Sequence, residues 1–351
     1  MDKYLILEDG TIIGGRGYGY EGESHGELVF TTSMSGYIET ITDPSYAGQI
    51  LIFAFPEIAN YSVSMEKMES EKIQVAGLIT KDAHEIFSGG PSGNDFNEFL
   101  KRSGVPAIDG IDTRVLVEKI RKNGVLRCFI RNKPEIPDEF PDTMNDDLVG
   151  LVSRKEYQYY KGNDRRKILF IDVGTKNSLI TNLGRIASLH IVPYNYDFFN
   201  SKLDYDAVFI PNGPGNPDHP ALKNLVEFIR EVSAEKPVIG VCLGNQLITL
   251  AFGGRTKKMK FGHRGVNHAV TDGTRIYITS HNHGYAVDNE SLRNTDLSMR
   301  MWDINDNTVE MVEHRDLPVY SVQFHPEAHP GPYDGSWFFD KIDETLGVKN
   351  D

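Results

Sequence analysis

Three short stretches hold residue types that do chemistry together once a fold brings them into contact. PVIGVCLGNQL carries Cys242 between an apolar run and the helical spacing of Leu243, Leu247, Ile248 and Ala251. SVQFHPEAHPGP carries His325 and Glu327, and FIPNGPGNPDHP carries Asn212, Gly213, Pro214 and Gly215. A thiol, an imidazole and a carboxylate are the members of a nucleophile, base and orienter set. At a helix N-terminus a sulfur meets unpaired N–H groups and the positive end of the dipole, which stabilise negative charge. Gly240 and Gly244, two positions either side of the thiol, permit the strained backbone of a nucleophile elbow. His325 and Glu327 share one side of a strand if the apolar run continues through them, so the carboxylate can hold one ring nitrogen while the other faces elsewhere. The NGPG loop after a strand can turn backbone N–H groups toward a developing oxyanion.

Each stretch also has a plainer reading. A lone cysteine is commonly a small buried hydrophobe, which is the reading for Cys128 in VLRCFI. A Gly/Pro loop is often only a turn. A metal-dependent enzyme built on His281, His283, His325 and His329 is a competing class, but no carboxylate or cysteine completes a recognisable ligand spacing, so no metal is expected.

The elements that must position these residues fall into two regions. The first 130 residues are rich in Gly and in short runs such as ELVFTTS and QILIFAF, with one helix over IDTRVLVEKIRKNG capped by Asp112 or Thr113 and closed by Gly124. This predicts a strand-rich α+β domain over residues 1–130. Residues 131–165 hold three prolines, many charges and little periodicity, the marks of a connector. Over residues 166–351, KILFIDVG, DAVFIPNGPG, PVIGVCLG and PVYSVQFHPE are apolar runs separated by helical stretches such as HPALKNLVEFIREVSAEK. That alternation predicts an α/β domain with a mostly parallel sheet, in which ligands sit at the carboxyl ends of strands.

Composition narrows the function classes. The 351 residues are enough for two ordinary domains. With 37 Lys plus Arg against 50 Asp plus Glu, the net charge of −13 disfavours a nucleic-acid or anionic-membrane surface. Two cysteines make no disulfide framework, which suits a reducing cytoplasm. The opening MDKYLILEDGTIIGG has too short an apolar stretch for a signal peptide or a membrane span. No G-x-x-x-x-G-K-[ST] phosphate loop is present, so no nucleotide cofactor is expected in this chain.

In chain order, NGPG, GVCLGNQ and HPE resemble the class I, triad-type glutamine amidotransferase domain. LEDGTIIGG, VFTTSMSGYIETITDPSYAGQIL, AIDGIDTR, MKFGHRGVNH, SHNHGYAVD and HPEAHPGP extend the resemblance to the small-subunit family of carbamoyl phosphate synthetase. The resemblance implies Cys242 as nucleophile, His325 as general base and acid, and Glu327 as its orienter. It implies that L-glutamine is held by Ser45, Gly213, Gly215, Leu243, Gln246, Asn282, Gly284 and Tyr285, with an oxyanion hole from the backbone N–H groups of Gly213 and Leu243. Ser45 belongs to the front domain, so the implied pocket draws on both domains. The implied partner is a separate large subunit in a heterodimer, which uses ATP, Mg and bicarbonate with the released ammonia to make carbamoyl phosphate for arginine or pyrimidine synthesis. The front domain would dock that partner. Amidotransferases serving anthranilate or guanine nucleotide synthesis do not need a front domain carrying SMSGYIETITDPSYAGQ, and a non-catalytic relative would not need all three triad types. Two departures stand out: Asn245 where the family usually has histidine, and Tyr285 where phenylalanine is common.

Overall fold

The structure is a computed structural model and describes residues 2–83 and 95–347. It divides into two compact units, Met1–Leu148 and Val149–Asp351. The division falls inside the stretch 131–165 read as a connector, because its two halves are tied to different units. Thr143 Oγ1 donates to the Gly48 carbonyl at 2.8 Å. Ser153 Oγ and the Arg154 N–H donate to Asp172 at 2.6 and 2.9 Å.

Short strands with Gly-rich turns close on themselves in the front unit. Among the described residues, Asp2–Leu7, Ile12–Gly19, Pro106–Asp109, Gly77–Ile79, Gln49–Phe53, Ser24–Thr31 and Leu126–Arg131 form a closed barrel in that order. Gly26 is required where a Cβ would lie 2.6 Å from the Gly48 carbonyl oxygen. The helix Thr113–Asn123 begins at Asp112, whose side chain accepts from the Val115 N–H at 3.3 Å, and ends at Gly124 with φ 99°.

In the second unit the apolar runs are strands buried on both faces. Ile168 and Phe170 pack with Leu183, Phe209, Phe338 and Leu346 on one side. Leu169 and Ile171, the alternate residues, pack with Val208, Leu225, Phe228 and Leu247 on the other. Alternation of side chains explains why such a strand reads as continuously apolar. Each fully buried Leu, Ile, Val or Phe contributes on the order of 1.5–3 kcal/mol of transfer free energy.

The sheet runs Gln158–Tyr160, Ser188–Pro193, Lys167–Asp172, Ala207–Ile210, Val238–Val241, Val319–Val322, Val309–His314, Leu297–Asp303, Thr256–Thr271 and Ile276–Val287. Only the pairings from Ser188–Pro193 through Val319–Val322 are parallel, so the sheet is mixed and not mostly parallel. The physical reason is connection length: tight turns join Thr256–Thr271 to Ile276–Val287 and Leu297–Asp303 to Val309–His314, and a turn of that size returns the chain antiparallel. In the first of these turns Asp272 Oδ1 accepts from the N–H and hydroxyl of Thr274, both at 2.7 Å, and from the Arg275 N–H at 2.8 Å. Among the described residues, no helix is long and apolar enough to cross a membrane.

Replacing Asp112 by Ala removes the cap of the Thr113–Asn123 helix. The expected cost is about 1 kcal/mol in urea unfolding of the full chain, and Asp112→Asn should recover most of it.

Candidate active site

Strand Val238–Val241 ends at Cys242, and helix Leu243–Ala251 starts on the next residue. Cys242 sits at φ 55°, ψ −100°, a left-handed conformation that a side chain normally avoids. Close packing holds it there. A Cβ on Gly244 would lie 2.0 Å from the Ile210 carbonyl oxygen, and one on Gly240 would lie 2.7 Å from the Gly244 carbonyl carbon. The Cys242 N–H donates to Val322 O at 2.8 Å and the Gly244 N–H to Pro211 O at 3.1 Å, so both neighbouring strands fix the elbow. Its Sγ points at the Asn282 carbonyl, 3.7 Å away.

His325 and Glu327 do not lie on a strand. Strand Val319–Val322 stops three residues before His325, and the chain turns through Ala328 and His329, both with positive φ. The expected same-side geometry therefore does not apply; the turn does the work instead. His325 is anchored by its N–H to Ser280 O at 2.9 Å, and its Nδ1 lies 2.7 Å from Glu327 Oε1. Its Nε2 is buried with no partner in hydrogen-bond geometry and neighbours the Cys242 sulfur.

Lys176, which follows strand Lys167–Asp172, completes the group. Its Nζ donates to Glu327 Oε1 at 2.9 Å and to the Ala328 carbonyl, and the pair is buried on both sides. Asn212 links this lysine to the NGPG loop: its Oδ1 accepts from the Lys176 N–H at 3.3 Å and its Nδ2 donates to Gly174 O at 3.0 Å. Burial alone would raise the Glu327 carboxyl, but the charges of Lys176 and His325 hold it well below the usual range. Burial would likewise lower His325, yet the Glu327 carboxylate and the Cys242 side chain raise it instead. The imidazolium is thus the stabilised form beside the sulfur.

The residues implied as glutamine contacts are placed as follows. Gly213 lies where a Cβ would be 2.2 Å from Val173 O and 2.8 Å from Leu243 Cδ2, so loop and helix start pack against each other. Gly215 has φ 86°. Gln246 donates to the carbonyl of Tyr285 at 2.8 Å and to Gln323 Oε1 at 3.1 Å, joining the helix to strand Ile276–Val287. Asn282, Gly284 and a half-buried Tyr285 follow one another on that strand. Ser45 is buried in the front unit, where its N–H donates to Asp43 Oδ1 at 2.9 Å.

Residues 5–130 match the family model of the carbamoyl-phosphate synthase small chain, CPSase domain, and residues 169–345 match glutamine amidotransferase class-I. The chain is 52% identical to the carbamoyl phosphate synthase small chain of Thermoplasma volcanium, with 99% of each chain covered. It is 51% identical to that of Thermoplasma acidophilum, with 97% of each covered. Against that of Methanocaldococcus jannaschii the identity is 43%, over 97% of this chain and 98% of the other. The chain belongs to the carbamoyl phosphate synthase small-chain family.

For this small chain, Asn245 is a core residue: its Oδ1 accepts from Ser321 Oγ at 2.9 Å and its Nδ2 donates to Gln323 Oε1 at 3.3 Å. Sequence reasoning missed Lys176. The available signal was a cation in IDVGTKN, where an apolar strand hands over to a loop, the same position in the sheet that Cys242 and NGPG occupy.

Two outcomes follow for the small chain. Lys176→Met leaves the buried Glu327 carboxylate without its ammonium and should cost about 3–5 kcal/mol in urea unfolding. In the double variant with Glu327→Gln the two losses should be strongly non-additive; additive losses would disprove the coupling. The second concerns pH. A raised histidine contributes stability that is complete below 6.5 and lost as pH rises toward about 10. The stability difference between the wild-type chain and His325→Gln should therefore be flat below pH 6.5 and shrink above it, and a difference that grows with pH would contradict the assignment.

Proposed function

We propose that this chain hydrolyses L-glutamine at Cys242 and supplies the ammonia to a carbamoyl phosphate synthetase large subunit. The observation that carries the reading is the line Lys176, Glu327, His325, Cys242, in which a doubly held carboxylate fixes Nδ1 and leaves Nε2 on the sulfur side.

The Cys242 sulfur, its proton taken by His325, attacks the side-chain carboxamide carbon, forming the C–S bond as the carbonyl π pair moves to oxygen. Two backbone N–H groups receive that oxyanion. The Gly244 N–H is committed to Pro211, so the first-turn N–H of Leu243 is the helix donor, with Gly213 opposite it. Each such donor is worth about 3 kcal/mol of barrier. His325 passes its proton to the leaving nitrogen, the C–N bond breaks, and ammonia departs from a γ-glutamyl thioester. Water deprotonated by the same ring then releases glutamate and restores the thiol. Gly215, Gln246, Asn282, Gly284 and Tyr285 would position the substrate, with Ser45 assigned the same task by family resemblance.

Ammonia in bulk water at neutral pH becomes ammonium and loses its nucleophilic lone pair, so a sheltered route to the partner is part of the proposal. The large subunit would supply the ATP, Mg and bicarbonate chemistry. Glutamate release by the purified full chain should be slow alone and rise with large subunit, ATP and bicarbonate. Cys242→Ala should reduce release to background under every condition. Release that persists in this variant removes the nucleophile assignment, and full turnover without partner removes the gating.

A further inference from the structure

Beside the triad, four buried side chains from three strands converge. They are His263 on Thr256–Thr271, His281 and His283 on Ile276–Val287, and Glu310 on Val309–His314. One nitrogen or oxygen from each lies within 4.8 Å of the others. The glutaminase chemistry uses none of them.

Each ring has an outer partner that can take a proton from the nitrogen facing away from the cluster. His263 Nε2 is 2.9 Å from Asp306 Oδ2, so it carries the proton and leaves the Nδ1 lone pair inside. His281 Nε2 is 2.7 Å from Thr279 Oγ1, whose hydroxyl also lies 3.2 Å from His268 O; with the hydroxyl hydrogen on that carbonyl, the ring donates outward from Nε2. His283 Nδ1 is 2.9 Å from the Tyr285 carbonyl, which can only accept, so the Nε2 lone pair faces inward. Three lone pairs thus meet a carboxylate. His263 Nδ1 and both Glu310 oxygens are buried without a partner. A proton on Glu310 would satisfy one lone pair and leave two facing each other, whereas a cation satisfies all of them.

We propose that His263 Nδ1, His281 Nδ1, His283 Nε2 and the Glu310 carboxylate form a tetrahedral site for a divalent transition-metal ion of the zinc class. Bonds of about 2.05 Å place tetrahedral ligand atoms about 3.3 Å apart. His281 Nδ1 and His283 Nε2 are 3.2 Å apart, and Glu310 lies 3.7 Å from His281 Nδ1 and 3.9 Å from His263 Nδ1. Three imidazoles and one carboxylate suit zinc in charge and softness, and four protein ligands with no exposed face make a closed, structural site. Each ring already has the outer acceptor that metal-bound histidines use for orientation. His268 stays outside the ligand set because it pairs with Asp303 at 3.1 Å. The ion would clamp the hairpin bearing Asn282 and Tyr285 to strand Val309–His314.

The test uses the full chain stripped with a chelator, then dialysed against zinc alone. Wild-type chain and Cys242→Ala should each retain about one zinc per chain with a raised Tm, and His281→Gln should lose both effects. Asp306→Asn, which removes only an outer acceptor, should weaken zinc binding about 10- to 100-fold. No retained zinc in the wild-type chain, or the same zinc content in His281→Gln, overturns the site. Should that variant not fold, zinc X-ray absorption of the wild-type chain decides: four nitrogen and oxygen neighbours support the site, while a sulfur neighbour or six-coordination overturns it.

Discussion

A carboxylate with no exposed surface is stable only between cations, and Glu327 has two of them, Lys176 and the raised imidazole of His325. Removing charges from water costs several kcal/mol per ion, so the arrangement persists only because the surrounding backbone fixes it. Lys176 is held through its N–H by Asn212 and His325 through its N–H by Ser280, and the chain turns away just past Glu327 through the left-handed Ala328 and His329. The elbow at Cys242, the loop at Gly213 and strand Ile276–Val287 are arranged around that ion pair. Stability and reactivity draw on the same contacts here.

The parallel half of the sheet supplies this geometry through its edge of carboxyl ends. Strands Lys167–Asp172, Ala207–Ile210, Val238–Val241 and Val319–Val322 deliver Lys176, the NGPG loop, Cys242 and His325 respectively. The antiparallel half completes the surroundings from the side. One region provides the buried charges and the thiol, the other backbone carbonyls and a wall.

Much of this was legible in the residues. Apolar runs ending in Gly or Cys identified the buried strands, and the Asp112 and Gly124 signals bounded a real helix, because both rest on local rules. The antiparallel half was not legible: Thr256–Thr271 and Ile276–Val287 are polar and histidine-rich, with sides facing a buried polar cluster, so neither alternation nor an apolar run marks them. Lys176 was missed because a single lysine has no periodicity, and its meaning arises only when a turn some 150 positions away brings Glu327 to it. The His263, His281, His283 and Glu310 grouping was hidden for the same reason, since its carboxylate comes from a different strand.

The turn at Asp272 has a consequence for how this chain tolerates change. Surface turns ordinarily absorb insertions and deletions best. Here three bonds to one carboxylate oxygen set the turn length, and that length sets the pairing from Thr271 with Ile276 to His268 with Thr279, before an irregularity between Gly265 and His268 shifts the register. Neighbouring residues on a strand face opposite ways, so adding or removing one residue at this exposed tip would exchange the two sides. An apparently permissive surface position is therefore the reading frame of the hairpin, and length variation should be rarer there than substitution.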